Sequence, residues 1–328
     1  MTNAPTLDIL GIGNAIVDVI ARAEDGFLEQ RGLDRGAMRL IDTAEAAALY
    51  DAMGPGLESG GGSAANTCAA AAALGARVGF LGKVADDVLG RVFAHDLKAI
   101  GVHYPTPPAK SGAPTARSLI LVSPDGQRTM NTYLGACVGF GEADLDEEAV
   151  RSAAVTYLEG YLFDPPAAQA AFVRAAGIAR DAGREVSMTL SDPFCVGRHR
   201  DAFRAFVRDR TDILFANEAE VLSLYGVATF AEALEAVRAE VRVAALTRSE
   251  QGSVVVAEGE VFYVPAEPAT VVDTTGAGDA YAAGFLAAHV RGLPPAERGR
   301  WGSVAAAEII SHFGARPQSD LRALVGAG

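Results

Sequence analysis

Gly60-Gly61-Gly62-Ser63-Ala64-Ala65-Asn66 feeds an alanine tract that runs to Leu74-Gly75, and Val78-Gly79-Phe80-Leu81 follows directly. The glycines read as a turn, 63–74 as a helix, Gly75 as the residue closing it, and 78–81 as a short buried strand. The same rhythm continues on both sides. Strand-like runs lie at 7–12, 155–158, 186–190, 212–215 and 241–246, and helical stretches at 88–100, 166–182 and 277–291. Gly101 and Gly183 stand, like Gly75, where helix C-caps are expected. Short strands alternating with longer helices are the pattern of βαβ units on a largely parallel sheet, so the expected fold class is α/β.

Two stretches break the rhythm, at about 21–41 and 110–133. In the second, the β-prone runs 117–122 and 127–133 flank Ser123-Pro124-Asp125-Gly126, whose Pro-Asp-Gly supplies turn chemistry for a hairpin. The two stretches are expected to form a small sheet projecting from the main one as a lid. No internal repeat, low-complexity tail or long linker interrupts the chain, so the lid is expected as an insertion in one body spanning 1–328.

Composition bounds the partners. The chain has 328 residues, 50% hydrophobic and 21% charged, enough to bury a large core. Its net charge of −13 argues against an extended basic surface for nucleic acid or anionic lipid. Cys68, Cys137 and Cys195 are few, odd in number and far apart, which fits a reducing compartment. Residues 1–7 lack the basic start and apolar stretch of a signal peptide, and no run approaches the roughly 20 apolar residues of a membrane span. A cytoplasmic protein with a small-molecule substrate is the expectation.

Asp273-Thr274-Thr275-Gly276-Ala277-Gly278-Asp279 follows a β-like run and opens a helical one. Two glycines let the backbone turn tightly with successive N–H groups outward, and the helix adds the positive end of its dipole: an anion site. An Asp beside such a site is costly for simple anion binding. It is what a phosphoryl-transfer enzyme needs to accept a proton from an attacking hydroxyl, which makes Asp279 the candidate base. An Asp that merely favours a helix dipole is the alternative. The turn at 60–66 offers close backbone approach, with Asn66 in the first helical turn suited to a polyhydroxyl ligand; a loop before a tightly packed alanine helix reads equally well. There is no Gly-x4-Gly-Lys-Ser/Thr, and Ile16 follows Gly11-Ile12-Gly13 where a dinucleotide fingerprint has Gly. Scattered histidines and the lack of paired cysteines argue against zinc.

Together the two glycine segments closely resemble the two signatures of the ribokinase-like, or PfkB, family of carbohydrate and nucleoside kinases. The first covers 61–90, including Leu81-Gly82-Lys83-Val84-Ala85-Asp86-Asp87-Val88-Leu89-Gly90, and the second covers 273–285. Asn217-Glu218-Ala219-Glu220 is similar to the family's Asn-x-x-Glu motif. The resemblance implies a ribokinase-like three-layer α/β/α sandwich with a small β-sheet lid. It also implies ATP-dependent phosphorylation of a hydroxymethyl group, with Asp279 as base and Gly276, Ala277 and Gly278 forming the anion hole. Asn217 and Glu220 would then organise Mg²⁺ and its waters; an Asn cap and a solvated helix charge are the plainer reading.

Within the family, Gly13-Asn14-Ala15-Ile16-Val17-Asp18 is most like the opening motif of the adenosine kinase branch, in which Asn14 and Asp18 would bind ribose hydroxyls beside Gly61, Gly62, Ser63 and Asn66. Thr189-Leu190-Ser191-Asp192-Pro193-Phe194 and Tyr157-Leu158-Glu159-Gly160-Tyr161 are also similar to that branch, which would make Phe194 a stacking surface for a purine; a core phenylalanine is the alternative. On the ATP side, Thr247-Arg248-Ser249-Glu250-Gln251-Gly252 departs from the family's Thr-x-Gly-x-x-Gly, since Ser249 replaces the first glycine. Thr247, Gly252, Thr275 and Ser303 are expected near the nucleotide. Arg128 in the hairpin would reach a phosphate on lid closure, or serve as a cross-strand surface charge. Some relatives hold a monovalent cation such as K⁺ near Asp273, and relatives occur as monomers and as lid-paired homodimers. The expected function is an adenosine or related nucleoside kinase, with a sugar kinase of the same fold second and a non-catalytic ligand sensor third.

Overall fold

In the computed structural model, which describes residues 4–327, apolar runs too short for helices pair into two sheets; residues 1–3, the start of the 1–7 segment, lie outside the described residues. In chain order the strands are β1 (Leu7–Ile12), β2 (Ile16–Arg22), β3 (Met38–Leu40), β4 (Leu57–Gly61), β5 (Val78–Leu81), β6 (Ala116–Val122), β7 (Arg128–Tyr133), β8 (Ala153–Glu159), β9 (Glu185–Thr189), β10 (Ile213–Asn217), β11 (Val243–Thr247), β12 (Ser253–Ala257) and β13 (Glu260–Val264). The main sheet has the order β13-β12-β11-β10-β9-β8-β1-β5 and is parallel from β11 to β5, with β12 and β13 antiparallel at one edge.

The parallel strands are apolar throughout because helices cover both faces. Successive residues point to opposite faces and enter different cores. Ile9, Tyr157 and Phe215 pack with Phe285 and Trp301 in one core, and their neighbours Leu10, Leu158 and Leu214 pack with Phe172 and Phe203 in the other. Helices Ser63–Ala73, Ala277–His289 and Pro295–Ile310 cover the first face, and Pro166–Asp181, Arg200–Arg210 and Phe230–Glu240 the second. This is the expected α/β/α sandwich. The expected helices at 63–74, 88–100, 166–182 and 277–291 form within a residue or two of those limits, and Gly75, Gly101 and Gly183 close three of them with positive φ.

The second sheet has the order β3-β7-β6-β2-β4. Its β6–β7 hairpin turns at 123–126 as the Pro-Asp-Gly chemistry requires. It takes in more of the chain than 21–41 and 110–133, because β2 starts four residues after β1 ends and β4 runs into the glycine turn. Asn14 and Ala15 carry the chain from one sheet to the other. The half-buried alternation of β2, with Val17, Val19 and Ala21 inward, marks the change.

Candidate active site

The chain leaves β1 in one direction for β5 and in the other for β8, so the crevice beyond the carboxyl ends of β1 and β8 is the switch point of the sheet, where α/β folds bind ligands. Asn14 follows β1 and Glu159 ends β8. The Asn14 side chain donates to Glu159 Oε1 (2.8 Å), and the backbone N–H groups of Asn14 (3.3 Å) and Ala64 (2.8 Å) donate to Oε2. Glu159 thus ties β1 to the first turn of helix Ser63–Ala73. Burial pushes its carboxyl up to about 7 against the pull of these hydrogen bonds, and the charge of Asp279 adds to the rise.

The glycine turn ends in Gly62, whose φ of 94° suits glycine, and a Cβ there would lie 2.2 Å from Asn14 O. Asp18 on β2 faces Gly61 closely enough that a Cβ at Gly61 would sit 2.4 Å from its Oδ2. Burial raises the Asp18 pKa to about 6, with Arg316 and Arg128 opposing the rise and Asp279 adding to it. Asn14, Asp18, Gly61 and Gly62 therefore gather on one side of the crevice.

Asp279 lies opposite. Ser63 Oγ donates to its Oδ1 (2.6 Å) and Asn66 Nδ2 to its Oδ2 (3.2 Å). Burial raises the Asp279 pKa, while Ser63, Asn66 and the charge of Arg316 restrain it. Asn66 and Ser63, expected to meet a ligand's hydroxyls, hold this carboxylate here, since both project from the helix turn that faces it.

Helix Ala277–His289 begins with Gly276 in the left-handed region (φ 79°), where a Cβ would meet Ala315 Cβ at 2.6 Å. Among the described residues no side-chain hydrogen bond caps this helix start. The Ala277 N–H bonds Thr274 O (3.2 Å), so within the expected anion hole Ala277 is partly committed. Gly278 and Asp279 occupy the second and third helical positions, whose N–H groups have no intrahelical acceptor. A Cβ at Gly278 would meet nothing within 4 Å. The β-like run expected before this turn is irregular; Val272 and Asp273 hang on the end of helix Pro295–Ile310 through N–H bonds to Ile310 O. Asp273 Oδ1 accepts from Thr275 N (3.1 Å) and Oδ2 from Gly314 N (3.2 Å), and Arg128 Nη2 pairs with Oδ2 at 2.7 Å. Arg128 is therefore a buried partner of the phosphate-type turn and not a surface charge. Its Nε has no hydrogen-bond partner among the described residues.

The remaining expected residues sit along the carboxyl ends of the neighbouring strands. Asn217, ending β10, and Glu220 form a capping box: Asn217 Nδ2 and N donate to Glu220 Oε1 (2.7 Å) and Oε2 (2.9 Å), and Glu220 N donates to Asn217 Oδ1 (2.9 Å). Glu220 is buried, which lifts it to about 7, so it is not a solvated helix charge. No three-residue cluster of His, Cys, Asp or Glu that could hold a metal ion occurs among the described residues, and both carboxylate oxygens of Glu220 accept from Asn217. Thr247 ends β11. Ser249 has a φ of 50°, so the loop keeps at this position the left-handed backbone that a glycine would adopt. Gly252 is needed for space, since a Cβ there would lie 2.1 Å from Val264 O. Ser303 is buried in helix Pro295–Ile310, which packs along helix Ala277–His289. Phe194 is 77% exposed beside β9, which excludes the core reading.

Two residues of the crevice carry little local signal. Glu159 shows only inside the stretch 157–161, with no role attached to it, and Arg316 is an isolated arginine in the C-terminal loop whose position depends wholly on tertiary contacts. A glycine turn at an uncapped helix start, facing a hydrogen-bonded carboxylate, is an arrangement suited to moving a phosphoryl group.

The model of the pfkB family carbohydrate kinase matches residues 54–321, and the chain belongs to that family. It is similar to the ATP-dependent ribose-1-phosphate kinase of Halopiger xanaduensis, 33% identical over 235 residues that make up 70% of this chain and 73% of that one. Two solved structures resemble it over nearly the whole length. A probable sugar kinase protein from Rhizobium etli CFN 42 is 48% identical with a TM-score of 0.91, covering 98% of each chain. The adenosine kinase from Sinorhizobium meliloti is 50% identical with a TM-score of 0.90, covering 98% of this chain and 99% of that one.

Proposed function

We propose that this kinase transfers the γ-phosphoryl group of ATP to the 5′-hydroxymethyl of adenosine or a related nucleoside. The carrying observation is the face of the small sheet that bears Asp18. Strand register aligns Asp18, Ser118, Thr132 and Leu40 in one row, and Ile20, Ile120, Met130 and Met38 in the next, all on the face that bears Asp18. Met38 and Leu40, on the edge strand, are 53% and 62% exposed, while Ser118 and Ile120 in the middle of the rows are buried. A cavity of about 420 Å³, lined in part by Leu40, Ile41, Leu134 and Val138, lies at the end of these rows. A hydroxyl-binding carboxylate beside an apolar surface suits a sugar that carries a flat base; a free sugar has no use for the apolar part. The Sinorhizobium meliloti protein supports the same reading.

In this mechanism Asn14 and Asp18 take the ribose hydroxyls, with the close backbone at Gly62 completing the pocket. Asp279, held by Ser63 and Asn66, accepts the proton of the attacking 5′-hydroxyl. The N–H groups of Gly278 and Asp279, which have no intrahelical acceptor, and the helix dipole stabilise charge on the transferred oxygens, which is the larger share of the acceleration. Mg²⁺, held through water at Asn217 and Glu220, would neutralise phosphate charge. Thr247, Gly252, Thr275 and Ser303 border the nucleotide. The small sheet acts as a lid that excludes water, and Arg128, with its unpartnered Nε, turns to phosphate on closure.

A sugar kinase is the second reading, favoured by the Rhizobium etli relative and by the fact that Asn14 and Asp18 serve any vicinal diol. The test is Mg-ATP consumption with adenosine, inosine, ribose, ribose 1-phosphate, fructose 6-phosphate and 2-keto-3-deoxygluconate. Turnover highest on adenosine is expected. Robust turnover of a sugar with none on a nucleoside overturns the first reading, and silence on every acceptor returns the protein to a ligand sensor.

A further inference from the structure

The C-terminal loop touches both glycine turns in three consecutive residues. Gly314 N–H donates to Asp273 Oδ2 (3.2 Å) at the root of the phosphate-type turn. The Ala315 side chain fills the space that the missing Cβ of Gly276 leaves, at 2.6 Å from where that Cβ would be. Arg316 crosses to the other turn: Nε and Nη2 donate to Gly60 O (3.1 and 2.6 Å) and Nη1 to Ala65 O (3.1 Å). Gly60 is held from its other side by Asp96, whose Oδ2 accepts the Gly60 N–H at 2.7 Å. The fork of Arg316 thus joins the entry of the turn to the first turn of the helix that bears Ser63 and Asn66.

A guanidinium spent on two main-chain carbonyls is an unusual use of a largely buried charge. Burial lowers its pKa, and the nearby carboxylates of Asp18, Asp96 and Asp279 oppose that loss. A rigid fork with fixed donor directions sets a distance in a way a flexible ammonium does not. Phosphoryl transfer needs the acceptor hydroxyl, held by one turn, in line with the phosphate held by the other. Misplacement by about 1 Å can cost about 100-fold.

We propose that Gly314-Ala315-Arg316 is a strap that fixes the separation of the two glycine turns, and that Arg316 is a positioning residue for phosphoryl transfer. The inference rests on the phosphotransferase reading of the site, whatever the acceptor. It is tested with Arg316→Lys and Arg316→Gln, using Mg-ATP and whichever acceptor the wild type turns over. In both variants kcat is expected to fall roughly 30- to 100-fold, while the acceptor Kd, measured calorimetrically without ATP, changes less than about threefold. Wild-type kcat in either folded variant, full rescue by lysine, or a loss confined to Kd overturns the strap. Should the glutamine variant fail to fold, the lysine variant, which keeps the charge and loses the fork, decides alone. Hydrogen exchange separates this inference from the choice of substrate. In the lysine variant the amides of 61–66 and of 276–279 should both exchange faster. Loosening of 61–66 alone defeats the strap even in a protein silent on every acceptor.

Discussion

Arg128 Nη2 lies 2.7 Å from Asp273 Oδ2, with both side chains almost wholly buried at 7% and 8% exposure. The pair joins β7 of the small sheet to the turn that opens helix Ala277–His289, and the Arg128 guanidinium also lies over the Phe313 ring, 5.5 Å from its centroid. Arg128→Ala strips a buried carboxylate of its cation and leaves it only two backbone donors. The expected cost is about 3 kcal/mol in urea unfolding, with a raised KM for Mg-ATP. Arg128→Lys should restore most of the stability and less of the KM, because a point charge satisfies Asp273 without the fork. A KM that stays at the wild-type value in Arg128→Lys and Arg128→Ala alike would remove Arg128 from the nucleotide site.

Ser63 and Asn66 hold Asp279 in place, and their hydrogen bonds favour its ionised form against the effect of burial. Asp279→Asn keeps both neighbours and loses the proton acceptor, so turnover should fall by about 10²- to 10⁴-fold with nucleoside binding nearly intact. Ser63→Ala removes a donor that favours the ionised form, and the already raised Asp279 pKa rises further. Because the base is proposed to act ionised, the loss in kcat/KM should be larger at a low pH value and smaller at a high one. Rate against pH decides it; a loss of equal size at both pH values would mean that Ser63 orients Asp279 without tuning it.

The sandwich was legible because its strands are short apolar runs and its helices end in glycines, both local features. The two glycine turns were legible for the same reason. What the residues do to one another was not. Asn66 looks like a ligand contact from its place in the first helical turn, and only the packing of two helices brings it to Asp279. Arg316 lies more than 250 positions from Gly60 and has no motif. β2 went unread because a strand leaving one sheet and entering another within four residues leaves no turn signal. Ser249 looks like a lost glycine in the sequence, yet its backbone keeps the left-handed shape.

Gly276 and Gly278 are alike in sequence and opposite in physics. Gly276→Ala forces a side chain into Ala315 at a backbone conformation alanine resists, so it should lower the melting temperature by several degrees and lose activity with it. Gly278→Ala finds open space in the free protein. Its melting temperature should stay within about 2 °C of wild type, as for an exposed helical Gly→Ala change. Activity should nonetheless drop at least tenfold, because in the proposed site the added methyl stands where phosphate oxygens would approach the turn. Full activity in Gly278→Ala would move the anion elsewhere.

Glu159 makes the stability of the free protein fall as pH rises. Its folded-state pKa of about 7 lies above the ordinary 4.5, so the folded form binds the proton more tightly than the unfolded chain. That contribution is complete below pH 4.5 and lost by the time pH passes 7, when a buried carboxylate must be ionised beside Asp279. Glu159→Gln stays neutral, keeps a carbonyl acceptor for the Asn14 and Ala64 N–H groups, and needs only a flip of the Asn14 amide. Relative to wild type, the variant should therefore gain stability between pH 4.5 and pH 8, by on the order of 3 kcal/mol if the whole shift is expressed. Urea unfolding of both proteins across that range measures the gap directly. A gap that does not change with pH would mean that Glu159 ionises in the folded protein as it does in the unfolded chain, and that its three hydrogen bonds fully offset its burial.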